Sequence, residues 1–555
     1  MGLWVLESRE MEHVPGTTRY YDDPDRPQAI NPDTATRAAI KCDKNGIMLN
    51  PQPSDDPNDP LNWPLWQRDL ITFVLSMTAI FATALGPILA ANTLTLSVWF
   101  NMNFTYVALL TGYYLLGVGF AAIFFVPSGR IWGKRHLFII GTIILIFSSA
   151  WGGAAGKNYT SLLWARIIQG VGTAPFESLV NAAVGDLYFV HQRGVRMAFT
   201  NLAVFGGAFF TPVVVGKITH TIGWWWTFYL ISIFTAISLF GVIFLCPETS
   251  FRRETRFNTD MAAESGRESS STQDEPEKHV GPYSQTTAIE AGSAATSTTA
   301  SSRPKKTYME SLALFDGRKT DENFFKLLFR PFPLFAQPAF LWACLIQGTM
   351  IGWTVFIGVI LAAVFLGPPR WWSEVETGYA YVGPFVGAVM GFLIAGGLAD
   401  WSATWLTKRN GGVYEPEFRI FLVIPQFIFG CMGLYGFAMT SQGPYHYVVP
   451  IMFFAFEVCG MVIGAVASSL YIVDAYRDLA IEGFTCLIIF KNFFSFGLTF
   501  KAYDWLVQGG TEPVFYALAS VQVVICLTSI PMYIYGKRNR AYFYRHDILA
   551  LTGLR

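Results

Sequence analysis

The chain has 555 residues, 52% of them hydrophobic and 16% aromatic, and only 14% are charged. Soluble domains average about 25% charged residues, so this balance excludes an ordinary soluble domain and fits a polytopic membrane protein. Thirty-nine basic residues match thirty-nine acidic ones, which leaves no electrostatic ground for a nucleic-acid partner.

Residues 1–69 read as a disordered cytoplasmic tail, polar and Pro-rich through Pro60, without the apolar core of a cleavable signal. Trp63 and Trp66 sit where a membrane–water boundary is expected, with Arg68 holding that end inside. Six apolar spans follow, near 70–92, 107–127, 137–156, 161–185, 197–219 and 225–245, and define a first bundle over 70–247. Each is close to the ~20 residues a helix needs to cross a bilayer. Residues 248–338 read as a cytoplasmic linker. Its Ser/Thr-rich middle, near 255–305, is expected to be disordered, and 309–329 has the spacing of a helix lying on the membrane surface. Six more spans, near 339–366, 377–399, 419–440, 447–474, 482–504 and 513–536, form a second bundle over 339–536, ahead of a cytoplasmic tail at 537–555. The expected fold is all-α integral membrane, with twelve transmembrane helices in two six-helix bundles. No cysteine falls in an expected outside loop, so no structural disulfide is expected.

Charge places the loops. With the N-terminus inside, the inner loops carry Arg130, Lys134 and Arg135, then Arg193 and Arg196, Lys408 and Arg409, Arg477, and Lys537, Arg538 and Arg540. The outer loops carry only Lys157, Lys217, Arg370 and Lys501, which is the positive-inside pattern. Both Asn-X-Thr sequons, at Asn103 and Asn158, fall in outer loops, where glycosylation is expected.

The fourth span holds Arg166, Gln169 and Glu177 in an otherwise apolar or small-residue run. Arg166 and Glu177 lie close to three whole turns apart, so they project from one face, ~16 Å apart in depth. Charges there cost at least ~2.5–3.5 kcal/mol each on insertion scales, so they should face a bundle interior or a wet cavity. Two readings stand: a helix that lines a polar pathway, or an internal salt bridge that staples helices. Gly170 and Gly172 would let neighbouring helices approach closely. Glu457 in span ten and Lys491 in span eleven, with Asn492 beside it, lie near the midplane and on sequential spans, so a Glu457–Lys491 pair is expected. A cavity between spans one, four, seven and ten, reached by Arg166 and Glu177, completes the expected pathway.

Several stretches carry a family resemblance. The loop after span two ends in Gly133-Lys134-Arg135, span four holds Arg166-x-x-Gln169-Gly170, and Asp186 precedes Arg193-Gly194 in the next loop. Span five holds Gly207, Pro212 and Gly216, and the second half keeps Asp400 where the first has Arg130. Pro247-Glu248-Thr249 and Glu415 to Arg419 complete the set. In this order, over about residues 56 to 540, the chain resembles the major facilitator superfamily, and within it fungal twelve-helix drug:proton antiporters. The resemblance implies a role for Arg166 in proton coupling, and conformational roles for Gly133, Lys134, Arg135, Gly207, Pro212, Gly216 and Asp400. Thr211 and Val215 depart from the span-five pattern.

The expected function is secondary active transport of a small organic molecule, with proton-coupled efflux of a drug-like compound or secondary metabolite by alternating access. The alternatives are proton-coupled uptake of a nutrient or polyamine, or a transporter-like sensor. An ATP-driven pump needs a P-loop, and no stretch has that spacing. A metal enzyme needs clustered ligands, whereas all seven His lie in tails or loops, so no metal and no cofactor are expected. The expected partners are the small-molecule substrate, a proton and the lipid bilayer, for a monomer in the plasma membrane or, alternatively, the vacuolar membrane.

Overall fold

The computed structural model describes residues 3–7, 11, 14–19, 41, 49, 51–252, 305–367 and 370–554. The disorder expected near 255–305 falls, through residue 304, outside the described residues. Twelve spans are present: α1 (Leu65–Phe100), α2 (Phe104–Trp132), α3 (Arg135–Gly153), α4 (Tyr159–Leu187), α5 (Val190–Ile222), α6 (Trp225–Leu245), α7 (Pro338–Leu366), α8 (Glu374–Arg409), α9 (Pro416–Thr440), α10 (Val448–Ala475), α11 (Ala480–Gly509) and α12 (Thr511–Leu551). Eleven are apolar and long enough to cross a bilayer on composition alone. The exception is α4, whose Arg166, Gln169 and Glu177 dilute its apolar run.

Two irregularities shape the interior. In α1, Pro87 has no N–H to donate, so the α-helix stops at Ala84 and resumes at Thr93 after a 3-10 turn over Pro87–Asn92. In α5, a π-helical turn over Leu202–Gly206 offsets the hydrogen-bond ladder, and the Thr83 hydroxyl takes up the Val204 carbonyl at 3.0 Å. Glycines set the closest helix approaches. A Cβ on Gly170 would lie 2.1 Å from the Tyr114 carbonyl of α2, and one on Gly172 would lie 3.0 Å from the Leu145 nitrogen of α3, as the small residues of α4 predict. Gly387 serves α8 against α10 in the same way, 2.1 Å from the Ala455 carbonyl.

The halves α1–α6 and α7–α12 meet along α2 against α11 and along α5 against α8. The end carrying the basic loops is closed by ion pairs between them. Arg130 of α2 binds Glu482 of α11 at 2.7 Å, and Arg193 of α5 approaches Asp474 of α10 at 3.5 Å. Asp474 also holds Arg419 at 2.9 Å. The linker joins this network: Glu322 accepts from Arg130 at 3.1 Å and from Arg330 at 2.5 Å. The single surface helix expected over 309–329 is instead two short pieces, Tyr308–Ser311 and Phe324–Phe329, and a third, Pro331–Leu334, follows. Asp316, bound to Lys306 and Lys319, and Gly317 at φ +75° turn the chain between the first two.

Parts of the N-terminal tail depart from the expected disorder. β1 (Thr18–Arg19) pairs antiparallel with β2 (Val413–Tyr414), and the Thr17 hydroxyl donates to Glu415 at 2.8 Å. Glu7 pairs with Lys537 at 2.5 Å, and Arg540 donates to the Pro15 carbonyl. The tail covers a buried charge cluster in which Arg540 binds Glu415 and Glu417 at 2.9 and 2.7 Å. A polar composition conceals this because the partners lie some 400 residues further along the chain: the contact from Thr17 spans 398.

Candidate functional site

A cavity of about 140 Å³ lies between the halves, on the side of the midplane away from the basic loops. Its wall is mainly aliphatic and aromatic, with Thr83, Thr111, Thr354, Tyr114, Tyr381 and Tyr503 as polar points. The expected lining by spans one, four, seven and ten needs correction. α1 and α7 do line it, but α4 contributes only Glu177 and α10 only Met461, while α2, α5 and α11 supply much of the wall. The interface helices take this place because the halves touch along them.

Glu177 and Lys491 meet at the cavity floor. The Lys491 ammonium lies 2.7 Å from the Glu177 carboxylate, and the Asn492 amide approaches it at 3.4 Å. Both charged side chains are more than nine-tenths buried. Glu177 belongs to the first half and Lys491 to the second, so this ion pair spans the interface. On its far side is a second, smaller space with a polar lining that includes Asn181, Thr200, Asn201 and Gln347. The pair therefore separates an apolar compartment from a polar one, and the π-turn residues Val204 and Phe205 border both.

The expected Glu457–Lys491 pair is not formed. Glu457 is fully buried inside the second half, where its Oε1 accepts from the Thr354 hydroxyl at 2.7 Å. Its Oε2 has no hydrogen-bond partner among the described residues. Chain succession placed Glu457 beside Lys491, but α11 packs along α2 and α7, leaving Lys491 to face α4. Thr354 also lines the cavity, so Glu457 sits one side chain behind its wall.

Arg166 does not reach the cavity and does not pair with Glu177. Its guanidinium donates to the carbonyls of Leu85 at 2.5 Å, Gly86 at 3.1 Å and Leu110 at 3.3 Å, and to Gln169 Oε1 at 2.9 Å. It lies over the Tyr114 ring, 4.8 Å from the centroid. Leu85 and Gly86 stand at the break in α1, where carbonyls have lost their helical donors. Arg166 thus satisfies the freed carbonyls and fixes the turn Pro87–Asn92 against the cavity. Gln169 relays the contact to α3 by donating to the Ser148 carbonyl at 3.2 Å.

The conformational motifs sit at the joints. Gly133 has φ +93°, and a Cβ there would overlap Glu248. Glu248 accepts from the backbone N–H groups of Lys134 and Arg135, both at 3.0 Å, and so caps the N-terminus of α3. Arg130 stands where the matching loop of the second half has Asp400, and Glu248 of Pro247-Glu248-Thr249 supplies a carboxylate from another segment. Lys134 pairs with Asp186, and Arg135 donates to the Ile243 carbonyl at 2.8 Å. In α5, Gly207 packs on Ile80 of α1, and Gly216 packs on the start of α8, beside the contact between Pro212 and Gly378. Asp400 of α8 fits against Gly194 of α5 across the interface and lies 3.7 Å from Arg419. Asn103 and Asn158 are exposed at the other end of the bundle.

These features are those of a two-bundle membrane protein with a cavity between its halves. The sequence profile described as Major Facilitator Superfamily matches residues 70–480, and the chain belongs to that family. Among its relatives is Protein HOL1 of Saccharomyces cerevisiae, 26% identical, with 95% of each chain covered. Another is the Efflux pump FUB11 of Gibberella fujikuroi, 25% identical over 74% of this chain and 65% of that one. Among solved structures, the proton:xylose symporter XylE bound to 6-bromo-6-deoxy-D-glucose superposes with a TM-score of 0.56 at 13% identity, covering 85% of this chain and 96% of that one. At that identity the likeness concerns the fold alone.

Sequence reasoning missed Glu248, Thr354 and the linker carboxylate Glu322. Glu248 carried a signal, since it stands in a motif shared with the family. Thr354 is one of many threonines on spans and carried none.

Proposed function

We propose that the protein exports a small, largely apolar organic molecule by alternating access, driven by a proton gradient, and that Glu177–Lys491 is the coupling element. The observation that carries this reading is an ion pair that bridges the two halves at the floor of the cavity. Rocking of one half against the other separates such a pair. With an ammonium beside it a carboxylate is stable as a charge, whereas against an apolar wall without its cation the neutral acid is favoured. The pair therefore ties a charge contact at the cavity floor to the change in access. Glu457 does not serve here, because the argument requires partners on elements that part, and Glu457 is held by Thr354 within the second half. The efflux direction is supported by relatives that carry the description efflux pump. Uptake of a nutrient or polyamine uses the same elements in reverse.

In reconstituted vesicles, a lipophilic fluorescent dye should accumulate only under an imposed pH gradient and be released by a proton ionophore. Glu177→Gln should keep dye counterflow and lose the response to the gradient. Accumulation by the parent protein without any gradient would sink the proposal. Accumulation under the opposite gradient orientation would assign uptake instead.

A further inference from the structure

At the end away from the basic loops the two halves are joined by a contact that no motif accounts for. The last piece of α1, Thr93–Phe100, is a fresh helix with its own N-terminus, and its N-cap residue Asn92 makes no side-chain cap bond. The backbone N–H and the hydroxyl of Thr95 both donate to Glu374, at 2.7 and 2.5 Å. Glu374 is the first residue of α8, in the other half. First-turn N–H groups have no intrahelical acceptor, and a helix N-terminus favours an anion. The second half thus supplies the cap that a helix of the first half lacks. Beside it the backbones of α5 and α8 touch: a Cβ on Gly378 would lie 2.8 Å from the Pro212 carbonyl, and one on Gly216 would lie 3.1 Å from the Glu374 carbonyl. Thr93 itself and Pro87 of the preceding turn line the cavity, so the capped segment is part of its wall.

We infer that Thr95–Glu374 is the latch that closes the cavity on this side, and that Glu374 is a positioning residue of the transport cycle. The opposite end is held by buried ion pairs and a linker segment, whereas this latch is one half-buried carboxylate with two hydrogen bonds. It is the weaker closure and the first to open. The inference rests on the cavity being the transport pathway, but not on the proton assignment or on any substrate.

The test is the accessibility of a cysteine at Val355, in the α7 wall of the cavity. None of the six described native cysteines lines that cavity. A membrane-impermeant methanethiosulfonate reagent is applied from the side of Asn103. Glu374→Ala, which removes both acceptor oxygens, should raise the labelling rate about tenfold; Thr95→Val, which removes only the hydroxyl bond, should raise it by less and should add nothing to Glu374→Ala, since both act on one contact. Thr95→Ser, which keeps the N–H and the hydroxyl, should label at the parental rate. Glu374→Asp, which withdraws the carboxylate by one methylene, gives a second route to the same opening. Unchanged rates in Glu374→Ala and Thr95→Val would overturn the inference. So would Thr95→Ser labelling as fast as Thr95→Val, or an equal acceleration by Glu482→Gln at the far end, which would mean general loosening. Because the readout needs neither substrate nor gradient, its failure is distinct from failure of the proposed coupling.

Discussion

Buried polar residues in this chain act through what they satisfy rather than through their charge alone. Arg166 offers its N–H groups to backbone carbonyls at a helix break, a task that requires a planar fork. Arg166→Lys keeps the charge but cannot reach Leu85, Gly86 and Leu110 together. It should cost about 2–3 kcal/mol of stability, read as a lower melting temperature of the purified protein. Glu177 and Lys491 follow a different rule. Removing one partner strands the other charge, at about 3–5 kcal/mol, while removing both does not. Glu177→Gln and Lys491→Met should each lower the melting temperature more than the double variant does, and additive losses would contradict a direct pair. The sequence made these residues legible, since Arg, Gln, Glu and Lys stand out in apolar spans. Their pairing was not legible, because 315 positions separate Glu177 from Asn492 and periodicity along one helix cannot report which other helix it faces.

At the level of elements, most spans could be read from apolar length, but their ends and breaks could not. The turn after Ala84 and the π-turn of α5 are local departures that place carbonyls and small residues on the cavity. Pro87 is their only conspicuous sequence mark. The linker shows the same limit. Its amphipathic spacing suggested a helix on the bilayer, whereas Glu322 folds it back onto the junction of Arg130, Arg330 and Glu482. Burial pushes the Glu322 carboxyl up, but hydrogen bonds and charge from Arg330 and Arg130 outweigh it and hold the group below the ordinary carboxylate range. A depressed carboxyl contributes stability that is complete above its unfolded value and is lost as the pH falls through the folded one. The closed basic end should therefore loosen below about pH 4. Limited proteolysis of the 305–337 segment should speed up there in the parent, and Glu322→Gln should already be fast at neutral pH. Equal rates in the two proteins at neutral pH would remove Glu322 from the closure.

Across the whole molecule, two sets of six spans determine the bundle, eleven of them apolar enough to cross a bilayer on composition alone, and the glycines on α4 and α8 determine how closely it packs. Orientation in the membrane follows from charge. The basic loops and their ion-pair network gather at one end, and the two sequons gather at the other. Asn103 and Asn158 each stand at a helix start, at the N-cap positions of α2 and α4. The Asn158 side-chain Oδ1 accepts from the Ser161 N–H at 3.1 Å, which leaves its amide nitrogen directed away from that bond and open to a glycosyl group. Asn103 makes no side-chain cap bond at all. If the basic end is cytoplasmic, as the positive-inside rule requires, both amides face the lumen during synthesis. Expression in a glycosylating host should give a product that loses two glycans on endoglycosidase treatment, with Asn103→Gln and Asn158→Gln each removing one step. The control is a sequon inserted beside Arg409, at the basic end, which should remain unmodified. A glycan there would reverse the bundle in the membrane, and with it the side to which Thr95 and Glu374 open the cavity.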